Sequence, residues 1–410
     1  MAFSSFHLSP PLLRAIADAA FTVPTPIQTQ VIPLVLEKKD ILARAQTGSG
    51  KTASFVLPIL ELFTQTRGEG KAKIKALILT PTRELTLQVA QAFQNFSTHY
   101  ARPLSIVSII GGERIGEQLY DIQQGCDILV ATAGRLIDVL SKKQMDLSKL
   151  EFFVLDEADR MLDLGFAEEL DLILDALPKK RQNLLFSATY PEKMRLIARK
   201  ITHNPIEITI QEEKTTVERI HQRAILVNRE NRGPLLRHLL QENPWKQVLV
   251  FMANKRASDN IAAKFRKYGI EAESFHGNLT QDDRTLTLND FKAKKIHVLF
   301  STDLAARGLD IDTMPCVINF DLPRSPSDYI HRIGRTGRAG ESGEAISFLT
   351  LEDDEHFKLI EKRADISLAR EQIAGFEREG EVVQKPKGQA PIKGKRKSKK
   401  DKLREAAAKK

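Results

Sequence analysis

The sequence predicts an α/β protein with two consecutive parallel sheets, each flanked by helices. Strand-like apolar runs alternate with longer stretches of helical periodicity from residue 40 to 210, and a second alternation runs from about 221 to 350. The length of 410 residues suits two or three domains, since a domain holds roughly 150 residues. We therefore predict an N-terminal domain over 1–207, a linker over 208–220 and a C-terminal domain over 221–352.

The first alternation contains six predicted strands, which are DILARA, KALILT, SIVSII, DILVAT, FFVLDE and NLLFSAT. The stretches TASFVLPILELF and RELTLQVAQAFQNF repeat apolar residues at helical spacing, so we predict helices there. The segment ITIQEEKTTVERI is polar and has no strong period, which places the linker over it.

The second alternation also contains six predicted strands, which are AILV, QVLVFM, EAESFH, HVLFST, CVINF and EAISFL. Helical stretches such as ASDNIAAKFRKYG and RTLTLNDFKA separate them. This half has no phosphate-binding loop of its own, so the two domains are not expected to act alike.

The C-terminal end differs in composition from the rest of the chain. We predict a helical extension over 353–384 and a disordered tail over 385–410. The tail holds twelve Lys or Arg and two Asp or Glu, a net charge of +10, so the whole-chain charge of +9 leaves residues 1–384 at −1. The tail has too few apolar residues to repay the entropy of ordering, yet it can attract phosphates without reading sequence.

Cysteine usage and hydropathy exclude several classes of protein. Cys126 and Cys316 are far apart and form no C-x-x-C pattern, so we expect buried thiols and no structural metal. No apolar run approaches the roughly 18 residues of a membrane span, and the N-terminus lacks the features of a signal peptide. We expect a soluble, cytoplasmic protein with no membrane partner.

The stretch AQTGSGKT at 45–52 departs from the phosphate-binding pattern G-x-x-x-x-G-K-[ST] only at Ala45. In such a loop the backbone N–H groups surround the phosphates at a helix N-terminus, while a Lys reaches the outer phosphates. Gly48, Gly50, Lys51 and Thr52 supply these features between a predicted strand and a predicted helix. The sequence therefore predicts a nucleotide site.

The stretch FFVLDEAD at 152–159 ends an apolar strand in a cluster of carboxylates. Asp156 is placed to hold Mg²⁺, largely through water, and Glu157 to orient or deprotonate the attacking water. The alternative is an acidic helix N-terminus, which the helix dipole favours. The phosphate-binding loop favours the catalytic interpretation, because nucleotides bind beyond the carboxyl ends of parallel strands.

The stretch HRIGRTGRAG at 331–340 concentrates arginines among glycines in the second half of the chain. Arginine offers forked donors suited to phosphate, and glycine lets the backbone approach closely. We predict that Arg335 and Arg338 stabilise charge on the γ-phosphate held by the first domain. A basic turn that only forms salt bridges is the alternative.

Taken together, the ordered motifs resemble those of DEAD-box ATP-dependent RNA helicases over roughly residues 3–350. The matching stretches are PTPIQ with Gln28, AQTGSGKT, PTREL at 81–85, Gly111-Gly112, TAGR at 132–135, DEAD at 156–159, SAT at 187–189, STDLAARGLDI at 301–311, and HRIGRTGR. In this family the loop begins with alanine, so Ala45 is the expected residue. REQIAGFE resembles the bacterial RhlE-type group, and the resemblance implies two tandem RecA-like domains.

The resemblance also assigns an ATP and Mg²⁺ site. It implies that Phe3 stacks on the adenine, Gln28 bonds its edge and Asp310 meets the ribose. The remaining nucleotide contacts are Thr47, Gly48, Ser49, Gly50, Lys51 and Thr52, with Thr52 and Asp156 holding the metal. Ser187, Thr189 and His331 would couple this site to domain closure by way of Asp159. A strand-end turn for SAT, and packing of Phe3 or Phe6 against the N-terminal helix, are the alternatives.

The implied RNA surface makes backbone contacts that read little sequence. Its residues are Thr82, Arg83, Gly112, Thr132, Gly134 and Arg135 in the first domain, with Thr302 and Asp303 in the second. For His276 and His331 two interpretations stay open: a ligand-binding role, or a hydrogen-bonded histidine of the core. Ala133 replaces the usual proline of TAGR and Ala20 a usual glycine, so we expect altered rate or affinity and retained activity.

The expected function is RNA-dependent ATP hydrolysis coupled to local unwinding of short RNA duplexes. An ATP-gated RNA clamp or assembly scaffold, a DNA translocase and a metabolic P-loop kinase are the alternatives. Ribosomal precursors and RNA-decay proteins are partners that the resemblance leaves open beside RNA itself.

Overall fold

The computed structural model describes residues 2–45, 48–66, 71–190, 192–210, 220–306, 314–337 and 342–380. The described part forms two seven-stranded parallel sheets with helices on their faces, which confirms the predicted fold class. None of its helices is long and apolar enough to cross a bilayer.

The first sheet contains the strands β1 Ile41–Arg44, β2 Ala76–Thr80, β3 Ile106–Ile109, β4 Ile128–Thr132, β5 Phe152–Leu155, β6 Gln182–Ser187 and β7 Ile206–Thr209. Their order across the sheet is β3-β4-β2-β5-β6-β1-β7, so β5, β6 and β1, which precede the nucleotide motifs, lie side by side. The helices are α1 Pro10–Asp18, α2 Pro26–Leu36, α3 Lys51–Thr66, α4 Arg83–Phe96, α5 Ile115–Gln124, α6 Ala133–Ser141, α7 Ala158–Asp163, α8 Ala167–Ala176 and α9 Glu192–Ile201.

Alternate residues of each strand of the first sheet enter opposite hydrophobic layers, as the two-residue period of a strand requires. Ile78 and Val130 pack into the layer that contains Phe55, whereas Leu77 and Leu129 pack into the layer on the other face. Both faces are therefore covered, and the site must lie at the strand ends.

The second sheet contains the strands β8 Ile220–Leu226, β9 Val248–Met252, β10 Ala272–Phe275, β11 Val298–Thr302, β12 Cys316–Asn319, β13 Gly343–Leu349 and β14 Arg370–Glu371. Their order is β10-β11-β9-β12-β13-β8-β14, which repeats the order of the first sheet strand for strand. The helices are α10 Arg232–Glu242, α11 Lys255–Lys267, α12 Gln281–Lys292, α13 Asp303–Ala306, α14 Pro326–Ile333 and α15 Asp354–Ala364.

Two short edge strands modify the predicted boundaries. Residues 208 and 209 belong to β7, and Ile220 opens β8, so the linker predicted over 208–220 is too long at both ends; residues 211–219 lie outside the described part. In the extension predicted over 353–384, the helix ends at Ala364 and β14 then pairs with β8. The tail over 385–410 lies outside the described residues.

Both cysteines are free and buried, as predicted. Burial raises the pKa of the Cys126 and Cys316 thiols, so neither is activated as a nucleophile.

Candidate active site

The phosphate-binding loop connects β1 to α3 and depends on a left-handed glycine. Gly50 has φ +92°, and a Cβ added there would lie 2.6 Å from Nε2 of Gln28. The Gln28 side chain donates from Nε2 to the Gly50 carbonyl at 3.2 Å and accepts from the Thr25 N–H at 2.9 Å. In this structure the Gln28 amide therefore supports the loop, while Gln46 and Thr47 lie outside the described residues.

Lys51 lies buried at the first position of α3, and its Nζ donates to the Ala45 carbonyl at 2.9 Å. Thr52 follows it, half-buried. The Lys51 amine thus points back across the loop, where a phosphate would also lie.

The acidic motif begins where β5 ends and carries two adjacent buried carboxyl groups. Burial raises the pKa of Asp156 to about 6, although the positive charge of Lys51 opposes the shift; the Glu157 charge raises it further. Glu157 has φ +48°, and its N–H donates to Oδ1 of Asp156 at 2.9 Å. The left-handed backbone turns the chain sharply at the strand end, where the Asp156 carboxyl group interacts with the charge of Lys51.

Asp159 is hydrogen-bonded to the neighbouring strand end, where β6 leads into SAT. Its Oδ2 accepts from the N–H and from Oγ1 of Thr189, at 2.9 and 2.8 Å. The Asp159 N–H donates to Oγ of Ser187 at 3.3 Å, and that hydroxyl donates to the Thr189 carbonyl. The predicted hydrogen bonds between these motifs are therefore present.

Two ion pairs join the two halves of the chain. Nη1 of Arg160, the residue after DEAD, lies 2.9 Å from Oδ1 of Asp328 on α14. Nε of Arg284 on α12 lies 2.6 Å from Oε1 of Glu84 on α4, and these two side chains are only 5% and 6% exposed. The described conformation is therefore one in which the carboxyl ends of the two sheets face each other.

His331 lies partly buried between the two halves. Burial lowers its pKa to about 3, the Arg160 charge contributes, and Asp159 and Asp328 act in the opposite direction. The same shift receives a contribution from Arg335, which is itself buried at the end of α14. The imidazole is thus neutral at ordinary pH and lies among the charges of DEAD and of its own motif.

The predicted RNA residues of the first sheet surround the Gly111-Gly112 turn. A Cβ on Gly112, which has φ +92°, would lie 2.5 Å from Nη1 of Arg83. Burial and the neighbouring Arg284 lower the pKa of Arg83, whose guanidinium forms no hydrogen bond within the described residues. Thr82 and Thr132 are the residues that precede α4 and α6, and Gly134 lies in the first turn of α6.

Arg135 and Asp303 are both occupied by protein partners. Arg135 is buried, donating to Oε1 of Gln118 at 2.6 Å and to the Glu113 carbonyl at 2.9 Å. Asp303 accepts two hydrogen bonds from Arg332, at 2.5 and 2.7 Å. These side chains are held by protein partners at the loops near the predicted RNA surface.

Sequence comparison decides the family. Residues 25–197 match the DEAD/DEAH box helicase family, and residues 231–340 match the helicase conserved C-terminal domain. Over 360 residues the chain is 42% identical to the ATP-dependent rRNA helicase RRP3 of Debaryomyces hansenii, covering 88% of this chain and 74% of that protein. The chain belongs to the DEAD-box helicase family.

Two further comparisons show how much of other DEAD-box proteins this chain covers. It is 40% identical over 372 residues to the ATP-dependent RNA helicase DeaD of Buchnera aphidicola, covering 90% of this chain but only 60% of that protein. The structure of S. cerevisiae Dbp5 bound to RNA and ADP BeF3 aligns with a TM-score of 0.79 and 32% identity, covering 90% of this chain and 95% of that one. The chain thus spans less than two thirds of the DeaD relative.

Several predicted residues of this DEAD-box protein are brought together and others are not. Lys51, Asp156 and Glu157 lie at the carboxyl ends of the strands of the first sheet. His331 and Arg335 belong to the second half of the chain, and His331 lies within the electrostatic influence of Asp159 and Arg160. Arg338 and Asp310 lie outside the described residues. Phe3 is 4% exposed and packs edge-on against Phe6, and both rings belong to the hydrophobic core that contains Leu12 of α1.

Sequence reasoning missed the four side chains that join the DEAD-box domains. Glu84 lies inside PTREL and Asp328 just before HRIGR, so their positions beside motifs were the available signal. Arg160 directly follows DEAD and had the same signal, whereas Arg284 had none; the partners of the two arginines lie 168 and 200 residues away. Phe21, which sequence reasoning did not assign to the site, is 39% exposed, and its ring contacts that of Phe3.

Proposed function

We propose that this DEAD-box protein is an RNA-dependent ATPase that locally separates short RNA duplexes or remodels RNA–protein complexes. The observation that carries the proposal is the joining of DEAD to the HRIGR helix through Arg160 and Asp328, at 2.9 Å. Both relatives described above are named RNA helicases, and Dbp5 is described as bound to RNA and ADP BeF3. These names support the proposal for this chain.

ATP is the proposed cofactor, and Mg²⁺ is proposed with it. Asp156 is buried beside Glu157 with its pKa raised to about 6, so this pair of carboxyl groups fits a cation that would compensate their charge. Thr52 and Asp156 would hold the ion, which would neutralise charge on the β- and γ-phosphates. Lys51 would exchange its bond to the Ala45 carbonyl for the outer phosphates, and Gln28, Phe3, Ser49 and Asp310 complete the proposed nucleotide contacts.

Glu157 is the proposed residue that orients the attacking water, because its carboxyl group follows Asp156 at the strand end. Arg335, with Arg338, would stabilise charge that develops on the γ-phosphate. Since these arginines come from the second sheet, hydrolysis would require the closed arrangement that Arg160 and Asp328 support. Thr189 and Ser187 would transmit closure through Asp159.

RNA is the proposed partner, bound through its sugar-phosphate backbone. Among the described residues the Arg83 guanidinium has no hydrogen-bonded partner, and Gly112 would let the RNA chain approach closely. Thr302 and Asp303 line a cleft of about 1020 Å³ that also contains Arg256 and Arg324. The proposed contacts read no bases, so little sequence specificity is expected from this surface.

Closure around a bent single strand would be incompatible with a paired duplex, which is how ATP binding would drive local separation. A clamp or scaffold that closes on RNA without unwinding uses the same contacts. We further propose, on REQIAGFE, that the protein is RhlE-type. Ribosomal precursors or RNA-decay proteins are its proposed partners, by analogy with similar proteins, and the cytoplasm is its proposed compartment. Duplex displacement separates unwinding from clamping.

The test is steady-state ATP turnover by the protein alone, with single-stranded RNA, and with DNA of identical sequence. We expect stimulation by RNA, and loss of turnover in Lys51→Ala and Glu157→Gln. The exposed Glu168→Gln on α8 serves as the matched control and should keep the wild-type rate. Equal stimulation by DNA would favour a translocase, and no stimulation by either would overturn the proposal.

A further inference from the structure

The amino ends of the first sheet form a surface that the proposed function does not use. Parallel pairing aligns these ends, because Ile41 pairs with both Leu184 and Ile206 and Ala76 pairs with both Phe152 and Ile128. The connections that lead into the seven strands therefore lie along one edge. Their described residues are 37–40, 71–75, 97–105, 125–127, 142–151, 177–181 and 202–205, and we call them the amino edge.

The amino edge is strongly basic although the folded body is not. It contains twelve Lys or Arg and five Asp or Glu, a net charge of +7. Because residues 1–384 carry a net charge of −1, everything in that stretch outside the amino edge carries −8. The body is thus polarised between this edge and the rest of its surface.

Three of the five acidic residues of the amino edge are engaged by protein partners, while Glu37 and Asp146 are exposed. Asp40 is buried and accepts from the N–H and side chain of Asn183 and from the His203 N–H. Asp127 is buried and accepts from the Ser105 N–H. Glu151 is paired with Lys75 at 3.1 Å.

Most of the cations, in contrast, face solvent. Lys39, Lys71, Lys179 and Lys180 are exposed and form no ion pair among the described residues. Neighbouring strands bring the connections close, since the Gln182 side chain donates to the Lys39 carbonyl at 2.7 Å. The seven strands are spaced by about 4.8 Å, so the basic edge extends over roughly 29 Å.

We infer that the amino edge is a second nucleic-acid surface that binds the phosphate backbone of an RNA duplex. This inference rests on the proposed function, since it takes RNA as the substrate. A row of exposed lysines over some tens of ångströms matches a dense line of phosphates and reads no bases. The strands of the first sheet have four to six residues, so the amino edge lies about 13–20 Å from the carboxyl ends of the strands, where the nucleotide motifs are. The amino edge would therefore hold a separate part of the same RNA.

The composition of the edge favours duplex over single strand. Single-strand sites place aromatic rings under successive bases. The only Phe, Tyr or Trp in the amino edge is Tyr100, which is half-buried and packs against the hydrophobic core. Without such rings the edge offers charge alone, which suits the outer surface of a helix.

The test compares two RNAs on the full chain. One is a single strand of about 10 nucleotides; the other is the same strand extended by a duplex of about 16 base pairs. The edge variant carries Lys39→Gln, Lys71→Gln, Lys179→Gln and Lys180→Gln. The matched control carries four exposed lysines of the second half changed in the same way, which are Lys246→Gln, Lys264→Gln, Lys267→Gln and Lys362→Gln.

We expect the edge variant to lose affinity for the duplex-bearing RNA only. Each phosphate contact that is lost lowers the slope of log K against log[salt] by about 0.9, so four contacts lower it by up to about 3.6. The short strand should bind as in wild type, and the control variant should bind both RNAs normally. That pattern supports the amino edge as a duplex surface.

An equal loss for both RNAs, or no loss for either, would overturn the inference. If RNA binding is unchanged while binding of polyglutamate falls, the edge serves an acidic polypeptide and the RNA assignment is wrong. The proposed function has a separate test: it fails if the short single strand does not stimulate ATP turnover by the wild-type protein. The inference about the amino edge is decided by the difference in affinity between the two RNAs.

Discussion

Replacing Glu84 by Gln should weaken domain closure much more than it weakens either domain. Glu84 and Arg284 are 2.6 Å apart and nearly buried, and the guanidinium also donates to the His276 carbonyl and lies over the Phe275 ring. Removal of one partner from a buried ion pair costs about 3–5 kcal/mol, because the other charge stays buried without compensation. Opening of the domains returns Arg284 to water, so this cost falls on the closure equilibrium.

The lower figure of about 3 kcal/mol corresponds to roughly a hundredfold change in that equilibrium. Arg83 adds to the effect, since the positive charge of Arg284 already lowers its pKa and Glu84 opposes this. The double variant Glu84→Gln with Arg284→Gln should recover part of the loss, because no unpaired charge remains.

The assay is RNA affinity with and without a non-hydrolysable ATP analogue. We expect Glu84→Gln to weaken RNA binding roughly a hundredfold with the analogue and to leave binding without nucleotide unchanged. The matched control is Glu273→Gln, whose pair with Arg266 lies within the second half of the chain and is more exposed. Wild-type affinity of Glu84→Gln in the presence of the analogue would refute the role assigned to the pair.

Three further changes have clear expected outcomes. Gly50→Ala should weaken nucleotide binding by at least tenfold, because its Cβ would lie 2.6 Å from Gln28 at φ +92°, whereas Gly116→Ala, with open space, should bind normally; equal calorimetric affinities would contradict this. The pKa of His331 in the closed state, about 3, is below its usual value of roughly 6.5, so closure should weaken by up to tenfold per pH unit below about 6.5. The measurement is RNA affinity in the presence of the ATP analogue from pH 8 to 5, and the pH dependence of this affinity should disappear in His331→Gln. An unchanged pH dependence in that variant would assign the effect to another group. Deletion of 385–410 removes a net charge of +10 and should reduce RNA affinity and its salt dependence, while unchanged binding would retire the proposed role of the tail.

Local pattern predicted the elements whose signal lies within a few residues. RELTLQVAQAFQNF was predicted as a helix and α4 spans Arg83–Phe96, because its apolar face repeats at helical spacing and Thr82 caps its start. The edge strand β7 was missed because only Ile208 is buried there, so no apolar run marks it. The strand β14 has two residues, and its place beside β8 depends on the pairing of Glu371 with the distant Arg223.

The position of the site could be predicted where short motifs contain its functional residues. It could not be predicted where a side chain is buried by residues distant in the sequence. The loop, the carboxyl groups and SAT lie at the strand ends that the sequence indicated. The burial of Arg135 was not visible, because an arginine beside two small residues gives no sign that Gln118 and Glu113 will bind it. The ion pairs between domains depend on tertiary closure, which no window of sequence contains.

The short strand β14 has a consequence for solubility. Without it, β8 would end the second sheet with a seven-residue row of unpaired backbone groups, and such an open edge recruits strands from other molecules. Its two residues cover part of β8, and Ile373 and Phe376 then pack into the core beside that edge. Chains cut near residue 350 should therefore aggregate through β8, whereas chains cut after 380 should stay monodisperse.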